Sequence, residues 1–277
     1  MKWKGRTRSS NVQDRRGMGG VAGGLGGIGI IIVIIYTLLG GNPGDIMPNS
    51  DGGQTNAPYV ATQEEEELAA FVSVVLADTE VIWSEIFAEQ NLQYNEPTLV
   101  LFTGSVESAC GVAGSSTGPF YCSGDNQVYI DLQFFQELKD KFDAPGDFAM
   151  AYVIAHEVGH HVQNELGVMA QMNELRGKVS EEEYNAYSVR LELQADYLAG
   201  VWAKYVQGEN YLEEGDLEEA MNAASAVGDD RIQMEAQGYV VPDSFTHGTS
   251  EQRKRWFYKG FEAGDLSEWD TFSADEL

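Results

Sequence analysis

Apolar residues fall into one unbroken run near the amino terminus and into shorter, periodic runs further on. Residues 21–39 are 19 uncharged positions, about the length that crosses the hydrocarbon core of a bilayer. Residues 1–20 are basic, and residues 40–61 are rich in Gly, Asn, Pro, Asp and Ser without apolar periodicity. The pattern predicts a tail, a transmembrane signal anchor and a flexible tether, followed by a folded domain over residues 62–277.

The basic flank of the apolar run predicts how the run is oriented. Six basic residues lie in the first sixteen positions beside a single acid: Lys2, Lys4, Arg6, Arg8, Arg15 and Arg16, with Asp14. By the positive-inside rule, such a tail stays in the cytoplasm and the domain is exported. A cleaved signal peptide is the alternative, but no small-x-small cleavage site follows Leu39. We expect a single-pass membrane protein with an extracytoplasmic domain.

Periodic patterns within the domain predict an α+β fold, mainly helical with a small sheet. β-Branched and aromatic residues predict strands at residues 98–103 and 127–132. Capping residues and apolar periodicity predict five helices: one after Thr62, then residues 147–166 capped by Asp147, 180–206 capped by Ser180, 217–227 and 250–264. Strands that precede most of the helices indicate the α+β class.

Charge limits the partners of the chain. The whole chain has a net charge of −27, and the part after residue 16 carries 11 basic against 43 acidic residues. Nucleic-acid binding needs clustered Lys and Arg, so nucleic acid is excluded as a partner. The acidity suits a solvated surface in a salty medium, or a field that attracts basic substrates.

The segment His156-Glu157-Val158-Gly159-His160 carries the chemistry. Residues four apart share one face of a helix, so His156 and His160 can bind one metal ion, and zinc suits two imidazoles. Glu157 can accept a proton from a water on the metal as that water attacks a carbonyl carbon. The pattern predicts a hydrolase with one zinc per chain. His161 lies about 100° further around the helix and is not expected to share the metal.

A catalytic zinc needs a third protein ligand and an open fourth position. Glu192 and Asp196 lie four residues apart on the helix that follows, so Glu192 could bind the metal while Asp196 hydrogen-bonds a ligating histidine. The reverse assignment and His247 as a third histidine are the alternatives. If His247 is not a ligand, it could stabilise the developing oxyanion, or simply be a capped loop histidine.

Stretches beyond the motif resemble the neutral zinc metallopeptidase family of bacteria, over nearly the whole chain after the tether. They are Met1 to Met18, Ala109-Cys110-Gly111, Gly118 to Cys122, Val128 to Asp131, His156 to Gln163, Glu192 to Asp196, Gly228 to Arg231, and Phe245 to Phe257. The resemblance implies a zincin-like domain that acts on peptides or proteins. The Glu-x-x-x-Asp placement is also similar to membrane peptidases that process prenylated proteins, in which the Glu binds the metal, and this similarity favours Glu192.

The chain departs from the family pattern at Tyr197 and Trp269, where relatives commonly carry cysteines. Their joint absence suggests that aromatic packing against the C-terminal segment replaces a disulfide of the relatives. Cys110 and Cys122 remain, with eleven residues between them. In an exported domain they are expected to form a disulfide, which would stabilise the fold by roughly 3 kcal/mol.

Other interpretations concern the substrate and the support of the site. The strand at residues 127–132 could bind an extended peptide by main-chain pairing, and Asp229, Asp230 and Arg231 could form a buried salt-bridge corner. The rival function is a membrane-tethered binding or scaffold protein with a structural or decayed zinc site. A structural zinc prefers four protein ligands and does not need Glu157, which argues against that rival. A zinc hydrolase of non-peptide amides would use the same residues.

Overall fold

The structure is a computed structural model that describes residues 1–18 and 59–277. The apolar run at residues 21–39 and the tether up to residue 58 lie outside the described residues. Among the described helices, none combines the length and the apolar character needed to cross a bilayer. The described residues form an α+β fold that is mainly helical with a small sheet, as expected.

Eight α-helices and six strands occur in the described ranges. The helices are α1 (Gln63–Glu89), α2 (Gln133–Asp140), α3 (Asp147–Glu165), α4 (Val168–Leu175), α5 (Glu181–Gly208), α6 (Asp216–Ala226), α7 (Asp229–Gln237) and α8 (Ser250–Ala263). The strands are β1 (Val12–Asp14), β2 (Thr98–Phe102), β3 (Ser105–Ser108), β4 (Gly111–Gly114), β5 (Phe120–Cys122) and β6 (Gln127–Asp131). The five predicted helices and both predicted strands are confirmed, within one to two residues at most ends.

The main sheet has the strand order β1-β2-β6-β5 and separates two apolar layers. β1, β2 and β6 run parallel, whereas β5 is antiparallel to β6. Because successive side chains point to opposite faces, Leu99 and Ile130 face the helices while Val100 and Tyr129 face the β3–β4 hairpin. The sheet is therefore covered on both faces. Cys110 and Cys122 form the expected disulfide, which links the hairpin to β5.

Two helices have the side-chain caps that the sequence predicts, whereas the start of α3 differs from the prediction. Thr62 accepts a hydrogen bond from the backbone N–H of Glu65 at the start of α1, and Ser180 caps α5. The prediction that Asp147 caps α3 is wrong. Gly146 occupies the cap with φ 125°, a conformation that favours glycine, and Glu219 Oε2 instead accepts the Phe148 N–H at 3.0 Å.

Residues 1–18, called here the amino-terminal segment, pack on the domain and do not form a separate tail. β1 is paired with β2, the side chain of Met1 is buried, and the rings of Trp3 and Phe71 meet edge to face at 5.6 Å. Because the segment is mostly polar, its sequence does not predict that it packs on the domain. Its partner strand also lies some 85 residues further along the chain, beyond the reach of local patterns.

The expected salt-bridge corner at residues 229–231 is not formed. These residues begin α7, and Asp229 Oδ2 accepts backbone N–H groups from residues 246, 247 and 248. Asp230 accepts hydrogen bonds from the backbone and hydroxyl of Ser250, while Arg231 pairs with a glutamate of its own helix. The two carboxylates therefore fix the loop before α8 by accepting hydrogen bonds rather than by pairing with Arg231.

Tyr197 contacts the C-terminal segment by a hydrogen bond rather than by the expected aromatic packing, and its ring lies against Trp256 of α8 instead. Its hydroxyl donates to the carbonyl oxygen of Asp265 at 2.9 Å, and Trp269 packs at the margin of the core. The helix that precedes this segment, α8, approaches α5 closely, since a Cβ added at Gly260 would lie 2.0 Å from the Tyr197 carbonyl oxygen. Gly260 thus brings α8 against α5.

Candidate metal centre and active site

A glycine lets the two helices of the site approach each other. A Cβ placed on Gly159 of α3 would lie 3.0 Å from the carbonyl oxygen of Ala195 on α5, tighter than nearly all real contacts of this kind. Gly159 stands between the two histidines of the motif, and Ala195 lies beside Asp196. The close crossing therefore carries the acidic side chains of α5 to the imidazoles of α3.

The crossing gathers His156, His160 and Glu192 into one group of potential metal ligands. One ligand atom from each lies within 4.8 Å of the others. Nε2 of His156 is 3.2 Å from Oε2 of Glu192, and Nε2 of His160 is 3.4 Å from Oε1 of the same carboxylate. All three side chains are largely buried, so the site is withdrawn from bulk water.

Hydrogen bonds to the Nδ1 atoms of His156 and His160 fix how the two imidazole rings are oriented toward Glu192. Nδ1 of His156 lies 2.9 Å from Oδ1 of Asp196, and Nδ1 of His160 lies 2.8 Å from Oε1 of Gln163. With neutral rings these acceptors hold the proton on Nδ1, which leaves both Nε2 lone pairs directed at Glu192. Two imidazole nitrogens and a carboxylate then converge, and this donor set fits a zinc ion.

Asp196 is itself held by two further groups. The Tyr152 hydroxyl donates to Oδ1 at 2.5 Å, and the Arg253 guanidinium donates to both carboxylate oxygens at 2.8 and 3.0 Å. Burial raises the pKa of Asp196, but Arg253 and His156 outweigh burial and hold this pKa below its usual value. Asp196 is thus a carboxylate that can accept the His156 proton.

No motif in the sequence singles out Arg253, but one signal could have found it. Arg253 lies three and four residues before Trp256 and Phe257, both buried, so it shares the apolar face of α8. A guanidinium on an apolar helical face needs a buried acceptor. Asp196 is that acceptor.

Glu157 and His247 line the same cleft as the ligand group, with a volume of about 450 Å³. His247 lies outside the ligand group, and its Nδ1 is 3.3 Å from Oδ1 of Asp229. Partial burial lowers the pKa of His247, but Asp229 and Glu192 raise it more, so the net shift of this pKa is upward. The side chain is half exposed, which suits a residue that meets a ligand rather than one enclosed with the metal.

His161 points away from the ligand group, as expected. Its Nε2 lies 2.6 Å from the Asn95 carbonyl oxygen, and its Nδ1 lies 3.0 Å from the Tyr121 hydroxyl. Burial lowers the pKa of His161. This histidine therefore joins α3 to the loop before β2 and to β5.

A different strand from the expected one borders the cleft. β6, which covers the predicted peptide-binding strand at residues 127–132, is enclosed between β2 and β5 and has no free edge. In the described part of the sheet, β5 pairs with β6 alone, and Phe120 and Tyr121 of β5 line the cleft. The free edge next to the site belongs to β5.

A second acidic group lies at the start of α3. Asp147, Asp216 and Glu219 also place carboxylate oxygens close together. The α-amino group of Met1 lies 2.5 Å from Asp147 Oδ1 and 3.3 Å from Asp216 Oδ1. Two of the three carboxylates therefore already face a cation of the protein.

Two histidines and a glutamate on crossed helices, with a second glutamate beside the first histidine, are characteristic of zinc-dependent hydrolases. A family model described as "Putative neutral zinc metallopeptidase" matches residues 1–272. The chain belongs to this neutral zinc metallopeptidase family, as its sequence stretches indicated.

Relatives of the chain occur in several bacteria. The uncharacterized protein YpfJ of Escherichia coli (strain K12) is 47% identical over an alignment of 283 residues, gaps included. The alignment covers 98% of this chain and 99% of that protein. The uncharacterized protein Mb2605 of Mycobacterium bovis is 45% identical over 195 residues, 66% of this chain and 65% of its own. The same values hold for the uncharacterized protein Rv2575 of Mycobacterium tuberculosis. No solved structure matches the chain.

Proposed function

We propose that the chain is a zinc metalloendopeptidase with one zinc per chain. The convergence of His156, His160 and Glu192 beside Glu157 carries this proposal. These ligands would hold the ion, which when bound would polarise a substrate carbonyl and acidify a water molecule. An antiparallel edge strand next to the histidine helix supports a zincin-like arrangement.

Each of the other side chains at the cleft has its own role in the proposed reaction. Glu157 accepts the proton of the attacking water and then delivers it to the leaving amine, so no covalent intermediate with the protein is formed. Asp196 holds His156 in the tautomer that presents Nε2, and Gln163 does the same for His160. His247 donates a hydrogen bond to the oxygen that becomes negative at the attacked carbon.

Charges along the cleft favour cleavage within a chain rather than at its ends. The charged residues that line it are Glu157, Glu192 and Arg253, besides the histidines. Arg253 is already bound to Asp196, so it is not free to bind a terminal carboxylate. Glu157 and Glu192 serve the reaction and the metal, which leaves no lining carboxylate for a terminal amine.

The walls of the cleft indicate which peptides fit. Its apolar lining includes Phe120, Phe134, Met169, Leu191, Val227 and Ile232. An extended substrate would add to the free edge of β5 by main-chain hydrogen bonds and place apolar side chains against this lining. We therefore expect cuts beside bulky apolar residues in unfolded polypeptides.

The test is zinc-dependent cleavage by the purified full-length protein. A denatured protein substrate is incubated with the enzyme, with the enzyme after chelation, and with the chelated enzyme after zinc is restored. Mass spectrometry should find internal cuts in the first and third reactions only. Fragments that persist unchanged after chelation, or stepwise loss of terminal residues, would contradict the proposal.

A further inference from the structure

We infer that the amino-terminal segment and the active site lie on the same side of any membrane that the protein meets. This replaces a cytoplasmic tail attached to an exported domain, the topology that the basic flank predicts. The inference is independent of the proposed function.

Strand pairing is the first observation that carries it. Val12, Gln13 and Asp14 of β1 stand in parallel register with residues 99–101 of β2. The pairing extends at both ends, because the Leu99 N–H donates to the Asn11 carbonyl at 2.8 Å and the Arg15 N–H donates to the Leu101 carbonyl at 2.8 Å. β1 thereby covers an edge of β2, an apolar strand with four of its five residues buried.

The basic residues of the segment are the second observation. Arg6 forms an ion pair with Asp78 of α1, and both side chains are mostly buried. Arg16 pairs with Asp14 and, at 3.0 Å, with Glu66 of α1, and its side chain is only 3% exposed. The positive-inside rule counts cations that remain at the cytoplasmic face. Two of the six basic residues in the amino-terminal segment, Arg6 and Arg16, are instead bound to carboxylates of the domain.

The ends of the connecting stretch are the third observation. A Cβ added at Gly17 would lie 2.1 Å from Cβ of Tyr59, so the chain leaves and re-enters the domain at one place. Neighbouring strands lie about 4.8 Å apart, whereas the hydrocarbon core of a bilayer is about 30 Å thick. β1 and β2 therefore cannot stand on opposite faces of a membrane and remain paired.

Labelling of single cysteines in cells tests the topology directly. Ser10→Cys lies in the amino-terminal segment and Ser84→Cys on α1, and both positions are exposed. Each full-length variant is treated with a membrane-impermeant maleimide before and after permeabilisation, with the unsubstituted chain as the blank. We expect both cysteines to react at the same stage. Reaction of Ser84→Cys in intact cells, with Ser10→Cys reacting only after permeabilisation, would overturn the inference.

A charge exchange tests whether the segment is docked in the purified full-length protein. Arg6→Asp and Asp78→Arg should each lower the melting temperature, and the double variant should recover most of the loss because the ion pair is restored in reverse. Lys141→Glu with Glu137→Lys, an exposed pair within α2 and its C-cap, is the matched control and should change little. Additive losses in the Arg6 and Asp78 double variant would contradict docking.

Discussion

The metal centre and the amino-terminal segment both place charged groups inside the domain, but they differ in how the sequence encodes them. At the metal centre, His156, His160 and Glu192 belong to two helices whose internal spacings of four residues are visible in the sequence. In the amino-terminal segment, Arg6 and Arg16 meet α1 across 72 and 50 residues, without any spacing rule. Short-range periodicity therefore predicts the metal site from the sequence. The long-range pairs of the amino-terminal segment leave no local pattern from which they could be predicted.

Removal of the amino-terminal segment should have the largest effect. A chain that begins at residue 60 lacks β1 and leaves Asp78 without Arg6, and breaking a buried pair alone costs about 3–5 kcal/mol. Because total stabilities are about 5–15 kcal/mol, we expect this chain to be insoluble or unfolded. Circular dichroism and size-exclusion chromatography would measure the outcome.

The matched control keeps residues 1–18 and replaces residues 20–57 with a short Gly-Ser linker. The described residues on either side of this stretch, Gly17 and Tyr59, meet in the structure, so a short linker can join them. We expect a folded protein whose melting temperature is close to that of the full chain. If the chain from residue 60 is as stable as this control, the amino-terminal segment does not belong to the fold.

Loss of a ligand should remove the metal while leaving the fold. Glu192→Ala deletes one of the three candidate ligands, so we expect the purified protein to lose its zinc. His247→Ala removes a residue outside the ligand group and should retain one zinc per chain while turnover falls. Elemental analysis of both variants decides between Glu192 and His247. Zinc loss in His247→Ala alone would reverse the assignment.

A smaller effect is expected where the two helices cross. Gly159→Ala places a methyl group 3.0 Å from the Ala195 carbonyl oxygen, and overpacking of this kind usually costs about 1–3 kcal/mol. The separation of α3 from α5 should also weaken zinc binding. Gly208→Ala on α5 meets no atom within 4 Å and is the control. Equal zinc affinity and stability in the two variants would show that the crossing tolerates a Cβ.

Local patterns explain how much of the fold and site could be predicted. Apolar periodicity with caps such as Thr62 and Ser180 locates long helices. The His156-Glu157-x-x-His160 spacing locates the candidate metal site because its members lie close together on one helix. The Glu192 and Asp196 pair follows from the same helical logic. Each of these features is decided by residues within about one or two helical turns of each other.

Features that depend on distant partners could not be predicted in the same way. β1 and β5 have three residues each, too short for a period-2 pattern, and only their pairing with β2 and β6 defines them. α7 has no buried residue, so it lacks an apolar stripe. Arg253 acquires its role from Asp196, 57 residues earlier. In each case the element or the role of the residue depends on a tertiary contact, and the neighbouring sequence carries no sign of that contact.

The most direct measurement of the central claim combines metal content and turnover in Glu157→Gln. Gln is similar in size to Glu but cannot accept the proton of the attacking water, and Glu157 is not among the converging ligands. We expect one zinc per chain in the variant and in the unsubstituted enzyme, with hydrolysis of a denatured protein reduced about 10²- to 10⁴-fold in the variant. Equal turnover of the two proteins, with zinc retained in both, would contradict a peptidase that uses Glu157 as its base.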